Sequence, residues 1–216
     1  ASLIAEDLGL RVKYTWMPQR RGFVRNTLGA GACDVIMGMP AGAERVLTTR
    51  PYYRSTYVFV YRKDRHVDIR SFDDPRLKRL KIGVQLIGDD YANTPPVHAL
   101  SRRGIVGNLV GFTVFGDYSQ ENPPARIIDA VVEGQVDVAL AWGPLAGYFA
   151  QHSGADLAVI PVSPAMDPPS LKFTFDIGLA VRQDAAALRD RLDAALGRKQ
   201  PEIRRLLTEY GVPLVS

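Results

Sequence analysis

The chain has little cysteine, no long apolar run and no concentration of charge. Its one cysteine, Cys33, has no second cysteine in the sequence with which to pair. No apolar stretch approaches the roughly 20 residues of a membrane-spanning helix, so membrane insertion is not predicted. The 27 Lys and Arg and the 23 Asp and Glu are spread along the chain and give a net charge of +4. This pattern argues against a nucleic-acid partner, whereas a moderate basic excess suits docking onto an acidic protein.

The sequence signatures of common catalytic and metal sites are also missing. There is no Gly-x-Ser-x-Gly elbow, no P-loop, no His-Glu-x-x-His and no cysteine pair for zinc. The three histidines, His66, His98 and His152, are far apart in the sequence, and a solvated or locally hydrogen-bonded histidine explains each better than a catalytic base. We therefore predict a protein that is not an enzyme, with no catalytic residue, no metal site and no cofactor.

What the sequence does contain is an alternation of apolar strands and helices. Strands are predicted at residues 11–16, 34–37, 57–61, 81–85, 109–115, 136–142, 157–161 and 175–182. Helices are predicted at residues 21–28, 95–103, 124–133, 145–152, 185–194 and 201–210. Strands separated by helices indicate a mostly parallel sheet with both faces covered.

The last two helices need a sheet of their own to cover, which predicts a second lobe. The chain is expected to cross from lobe A to lobe B near Arg54 and to return near Phe175. We predict an α/β, two-lobed periplasmic binding protein-like fold of type II, a hinged clamshell with a central cleft. Lobe A comprises residues 1–55 and 179–216, and lobe B comprises residues 56–178. Because the sequence opens in an amphipathic helix, lobe A is expected to lack its first strand and any signal peptide before it.

Five stretches carry a resemblance to a known family. They are YTWMPQRRGFVRNTL (14–28), RPYYRSTYVFV (50–60), WGPLAGYFA (142–150), FDIGLAVR (175–182) and YGVPL (210–214). They resemble the cluster 3 periplasmic solute-binding proteins, and among these the MoxJ/XoxJ-type accessory proteins of quinoprotein methanol dehydrogenases.

The resemblance implies a periplasmic protein whose partner is a PQQ-dependent methanol dehydrogenase, which it helps to activate or mature. It also implies that Cys33 has lost a disulfide partner from the first strand. The alternative function is that of an ABC-transporter-type solute-binding protein with a small polar ligand in the cleft, and some members of this fold are lyases that use cleft acids.

In open parallel sheets a ligand binds beyond the carboxyl ends of the strands, which identifies the cleft loops. The predicted ligand- or partner-binding residues are Gln19, Arg20, Met39, Arg45, Gln85, Asp89, Asp90, Tyr91, Tyr118, Trp142 and Gly143.

Amino-acid binders of this fold show what differs in these loops. Arg45 takes the place of the arginine that grips the ligand carboxylate, although pairing with Glu44 explains it equally well. Gly88-Asp89-Asp90 stands where these proteins have a Gly-Thr at the start of a lobe B helix, and the two aspartates would repel a carboxylate. Trp142 stands where an acid would hold the ammonium group, so a free amino acid is not predicted. The two aspartates would also suit a hard cation, but helix capping explains them better.

Overall fold

The computed structural model describes residues 1–19, 21–87, 93–114, 119 and 121–216. The α-helices are Ser2–Asp7 (α1), Pro95–Arg102 (α2), Arg126–Val132 (α3), Gly143–His152 (α4), Ala186–Arg198 (α5) and Gln200–Glu209 (α6). The strands are Ile36–Pro40 (β1), Leu47–Thr48 (β2), Tyr53–Arg62 (β3), Ile82–Leu86 (β4), Leu109–Thr113 (β5), Val138–Trp142 (β6), Leu157–Pro161 (β7), Met166–Asp167 (β8), Leu171–Lys172 (β9) and Thr174–Val181 (β10). Short helical turns lie at Arg25–Gly29, Lys63–Arg65, Pro75–Lys78 and Pro123–Ala125.

The chain divides into two compact units. Unit 1 comprises Ala1–Arg54, Phe175–Glu209 and Ser216, and unit 2 comprises Ser55–Thr174 and Tyr210–Val215. The bounds of unit 1 differ from those predicted for lobe A at residues 55, 175–178 and 210–215. A segment as short as 210–215 has no periodicity that indicates which sheet it joins.

Unit 2 is built on a five-stranded sheet in the order β7-β3-β6-β4-β5. β4 pairs in parallel with β5 and β6, whereas β3 is antiparallel to β6 and β7. Four strands thus run in one direction and β3 runs against them, which confirms the prediction of a mostly parallel sheet.

The two faces of this sheet are both covered. Phe59 and Tyr61 of β3 point into one apolar core, and Val58 and Val60 point into the other, as the period of two in a strand requires. α2 contributes to the first core, and α3 and α4 contribute to the second. Each large apolar side chain that is fully buried in these cores stabilises the fold by about 1.5–3 kcal/mol.

Unit 1 is organised around β10. Ala180 of β10 pairs with Ile36 of β1 and with Thr48 of β2, and both pairings are antiparallel. Leu179 and Val181 face a core to which α1, α5 and α6 contribute, and Ala180 faces a second, smaller core. The two terminal helices therefore cover the sheet of unit 1, as the sequence predicted.

One strand predicted in unit 1 is not formed. Residues 10–19 contain neither helix nor strand, and Tyr14 and Trp16 are 55% and 86% exposed. The period-two alternation of apolar residues is typical of a strand, but a strand also needs a hydrogen-bonded neighbour, and no described segment pairs with this one. The helix predicted at residues 21–28 is a turn that continues into the π-helix Arg25–Gly29.

A charge cluster around the buried Asp167 fixes the hairpin of β8 and β9 to the end of α2 in unit 2. Asp167 is 6% exposed, and its two carboxylate oxygens accept hydrogen bonds from Arg103 at 2.8 and 3.1 Å. Arg102 donates to the same carboxylate at 3.4 Å, and Arg103 also donates to Asp73 at 2.7 Å. The hydrogen-bonded Arg103 guanidinium holds the pKa of Asp167 below its usual value.

Replacing Asp167 by Asn should lower the free energy of unfolding by about 2–3 kcal/mol near pH 7, because Arg103 loses a buried charged partner. A lowered pKa means that the carboxylate stabilises the fold above the pKa of the unfolded chain. This contribution is lost as the pH falls through the folded-state value. Urea unfolding should therefore show a smaller difference between variant and wild type near pH 3 than at pH 7.

The matched control is Asp156→Asn, which removes an exposed ion pair with Lys63 and should change the free energy of unfolding little at either pH. An Asp167→Asn deficit of the same size at both pH values would contradict the electrostatic explanation.

Candidate functional site

Three of the predicted site residues, Gln85, Trp142 and Gly143, lie together in unit 2 at the carboxyl ends of β4 and β6. The Gln85 Oε1 accepts a hydrogen bond from the Trp142 backbone N at 2.8 Å. Gln85 is only 3% exposed, so its amide is a buried structural group. It fixes the backbone at the point where β6 ends and α4 begins.

Gln85 is itself held in place by Thr94, the residue that precedes α2. The buried Thr94 hydroxyl donates to Gln85 O at 2.7 Å, and its side chain makes no capping bond to α2. A chain of hydrogen bonds therefore runs from the start of α2 through the end of β4 to Trp142. Thr94 was not among the predicted site residues, because its position before a helix is equally typical of an N-cap.

The half-buried Trp142 ring packs edge-on against Tyr57, with 5.4 Å between the ring centroids and 65° between the planes. Tyr57 of β3 lies directly opposite Trp142 in the antiparallel pairing with β6, where facing side chains contact each other. Burial raises the pKa of the Tyr57 hydroxyl to about 12. Tyr57 was also missed from the sequence, because nothing in its local pattern shows which strand β3 pairs with.

Gly143 leaves no room for a side chain. A Cβ at this position would lie 2.4 Å from Thr56 O and 3.1 Å from Ser55 Oγ. Trp142 is extended, and Pro144 occupies the first turn of α4, where no amide hydrogen is required. The sequence Trp-Gly-Pro therefore allows α4 to start directly against β3.

The predicted residues of unit 1 have different environments. Met39 is half-buried and packs against the core that contains Leu28 and Ala180, so it is a packing residue. Gln19 is exposed in the irregular segment. Arg45 is exposed, has φ 65, and makes no hydrogen bond or ion pair with any residue that the structure describes, Glu44 included. Its guanidinium is thus available to a carboxylate from outside the chain.

The other predicted site residues, Arg20, Asp89, Asp90, Tyr91 and Tyr118, lie outside the described residues and stay predictions. Within the described ranges, no group of three or more His, Cys, Asp or Glu is arranged to hold a metal ion. Among the helices of those ranges, none has the length and apolar character needed to span a bilayer.

Comparisons with known proteins place the chain among periplasmic binding proteins. No protein-family profile matches it. It is 33% identical over 223 residues to MoxJ of Methylorubrum extorquens AM1, and the aligned region covers 100% of this chain and 74% of MoxJ. The crystal structure of the periplasmic binding protein XoxJ from Methylobacterium extorquens AM1 matches with a TM-score of 0.80 and 34% identity, over 100% of this chain and 88% of XoxJ. MxaJ from Methylophaga aminisulfidivorans MPT matches with a TM-score of 0.79 and 25% identity, over 100% of this chain and 90% of MxaJ. The α/β periplasmic binding protein fold is confirmed.

Replacing Gln85 by Leu should lower the free energy of unfolding by about 1–3 kcal/mol, because the Trp142 amide loses its acceptor. It should also increase the quenching of Trp142 fluorescence by acrylamide, measured in a Trp16→Phe background that leaves Trp142 as the only tryptophan. Gln135→Leu is the control, since Gln135 is exposed and its side-chain amide donates to the exposed Glu133. Unchanged quenching in Gln85→Leu would show that the amide does not position Trp142.

The raised pKa of Tyr57 predicts a loss of stability in alkali. The neutral hydroxyl stabilises the fold fully below the unfolded-chain pKa of about 10, and this contribution of up to about 2–3 kcal/mol is lost as the pH rises through about 12. Tyr57→Phe keeps the ring against Trp142 and should remove that part of the loss. Denaturant unfolding at pH 8, 10 and 12 measures it. The same alkaline loss in Tyr57→Phe as in the wild type would contradict this explanation.

Proposed function

The chain belongs to the MoxJ family, as its resemblance predicted, and from this premise we propose that it is a non-catalytic accessory protein of a PQQ-dependent methanol dehydrogenase. In this proposal it acts in the periplasm, where it binds the dehydrogenase or an immature form of it and assists activation or maturation. The likeness to MoxJ along the whole chain is the observation that carries the proposal. The likeness to XoxJ, itself a periplasmic binding protein, supports the location.

The chemistry of the described site in unit 2 favours binding over catalysis. The groups at the ends of β4 and β6 are an amide, an indole and a glycine, and none of these transfers protons near neutral pH. A tryptophan supported by a tyrosine is typical of the anchors at protein interfaces. Trp142 has this character, because Gln85 fixes its backbone and Tyr57 supports its ring.

The charge of the chain fits a protein partner with an acidic surface. The net charge is +4, and the exposed Arg45 of unit 1 has no partner among the described residues. A guanidinium in this state binds a carboxylate through two parallel hydrogen bonds at little reorganisation cost. We therefore propose that the dehydrogenase contacts Arg45 of unit 1 and, separately, Trp142 of unit 2.

Direct binding between the full-length mature protein and the methanol dehydrogenase of the same organism tests the proposal. We expect salt-sensitive binding by biolayer interferometry and recovery of the complex after crosslinking. Trp142→Ala should raise Kd by at least about tenfold, the effect of losing an interface anchor. Arg45→Gln should raise Kd and reduce its dependence on salt. Met166→Ala, which changes an exposed apolar residue elsewhere in unit 2, should leave Kd unchanged.

Trp142→Phe keeps an aromatic ring against Tyr57. It therefore tests whether a loss of binding in Trp142→Ala comes only from unfolding. No binding to either the mature or the immature dehydrogenase, with crosslinking included, would overturn the proposal. A screen of small polar solutes would then test the receptor alternative, which requires a large rise in Tm with one solute.

A further inference from the structure

The basic excess of the chain lies entirely in unit 1. Unit 1 contains 15 Lys and Arg against 10 Asp and Glu, whereas unit 2 contains 12 Lys and Arg against 13 Asp and Glu. The net charge of +4 is therefore made up of +5 in unit 1 and −1 in unit 2. Although the charges are spread along the sequence, the fold gathers the excess of cations into one unit. A partner that the net charge of unit 1 attracts is acidic.

Two of the three arginines of α5 are paired with acids of unit 1. Arg198 donates to a carboxylate oxygen of Asp7 at 2.6 Å, and Arg189 pairs with Asp190 at 2.6 Å. The charges of these two arginines are thus compensated within the unit. They do not account for its attraction to an acidic partner.

Arg204 and Arg205 of α6 are in a different state. Both are exposed, and neither guanidinium makes a hydrogen bond or an ion pair with any residue that the structure describes. Glu202 lies one turn before Arg205, but its carboxylate pairs with Lys199 at 3.4 Å and is influenced by Arg205 only through its charge. The two adjacent guanidinium groups are therefore available to carboxylates from outside the chain.

The two arginines lie on the face of α6 that points away from the core. The buried Ile203 packs into the core of unit 1 and anchors the helix by its other side. Positions 201, 204, 205 and 208 are spaced by three and four residues, so they share one side of the helix. This face is a shallow depression lined by Pro201, Arg204, Arg205, Thr208 and Glu209.

We propose that this face of α6 binds carboxylates on an acidic segment of the dehydrogenase, as a contact additional to those of Arg45 and Trp142. The inference rests on the proposed function for the identity of the partner. A guanidinium presents parallel donors that match a carboxylate, and here no ion pair within the chain has to be broken first. Glu209, at the end of the same face, repels carboxylates and so confines them to the two arginines.

Binding of the full-length mature protein to the dehydrogenase, measured by biolayer interferometry at about 50 mM and about 500 mM salt, tests this contact. Arg204→Gln combined with Arg205→Gln should raise Kd by about tenfold or more at low salt and reduce its salt dependence, because two charged contacts are lost. Gln has nearly the helix propensity of Arg, so α6 should stay folded, which circular dichroism verifies. Glu209→Gln should lower Kd by about two- to threefold.

The matched control is Lys78→Gln combined with Arg79→Gln. It removes two adjacent exposed cations of unit 2, which also have no side-chain partner among the described residues, and so changes the net charge equally. It should leave Kd within about twofold of the wild type.

Arg204→Lys combined with Arg205→Lys identifies the groups that are bound. A carbodiimide joins amines to carboxylates that they contact, so crosslinked peptides should connect the two substituted positions to Asp or Glu side chains of the dehydrogenase.

The outcomes separate this inference from the proposed function. If the wild type binds, an unchanged Kd and salt dependence in the folded double Gln variant of α6 would overturn the inference alone. No binding by the wild type would contradict the proposed function and the inference with it. Retention on phosphatidylglycerol vesicles that the double Gln variant loses, with unchanged binding to the dehydrogenase, would overturn the inference in favour of a membrane surface.

Discussion

The antiparallel pairing of β3 with β6 is the constraint on which the described site depends. Tyr57 faces Trp142 because the register is fixed along the run from Tyr57 to Val60. A slip of one residue would exchange the two apolar faces of β3, so both cores of unit 2 enforce that register. The same strand places Ser55 and Thr56 against Gly143. The register that buries the two apolar faces of β3 is therefore the same register that places Tyr57 against Trp142.

The sequence predicts the strands and helices whose apolar residues recur periodically. It misses the features that depend on residues far along the chain. The apolar runs of β4, β6 and β7, and the helices between them, are recognisable from length and periodicity. The alternation at residues 11–16 also has the pattern of a strand, but pairing is not a local property and no described segment supplies it. The contacts of Tyr57 and of Tyr210–Val215 could not be predicted for the same reason, because they depend on residues far along the chain.

The groups that meet at the ends of β4 and β6, an amide and an indole, do not change protonation near neutral pH. Gln85 is an amide, so the hydrogen bond that fixes Trp142 does not change over the physiological pH range. The Tyr57 hydroxyl beside Trp142 can titrate, but burial moves its pKa further from neutrality. The hydrogen bond and the ring contact that position Trp142 are therefore insensitive to pH near neutrality.

Residues 210–215 also determine when unit 2 can finish folding during synthesis. A chain is synthesised from its amino terminus, so Ser55 of β3 is made 158 residues before Pro213, to which it bonds. Gly143 and Gly147 of α4 are likewise made before Gly211 and Pro213, the residues that a side chain at these two positions would meet. Unit 2, although most of it lies in the middle of the sequence, therefore reaches its final packing only after residues 210–215 have been synthesised. Until then, the surface beside Gly143 and Gly147 stays uncovered in a nascent chain.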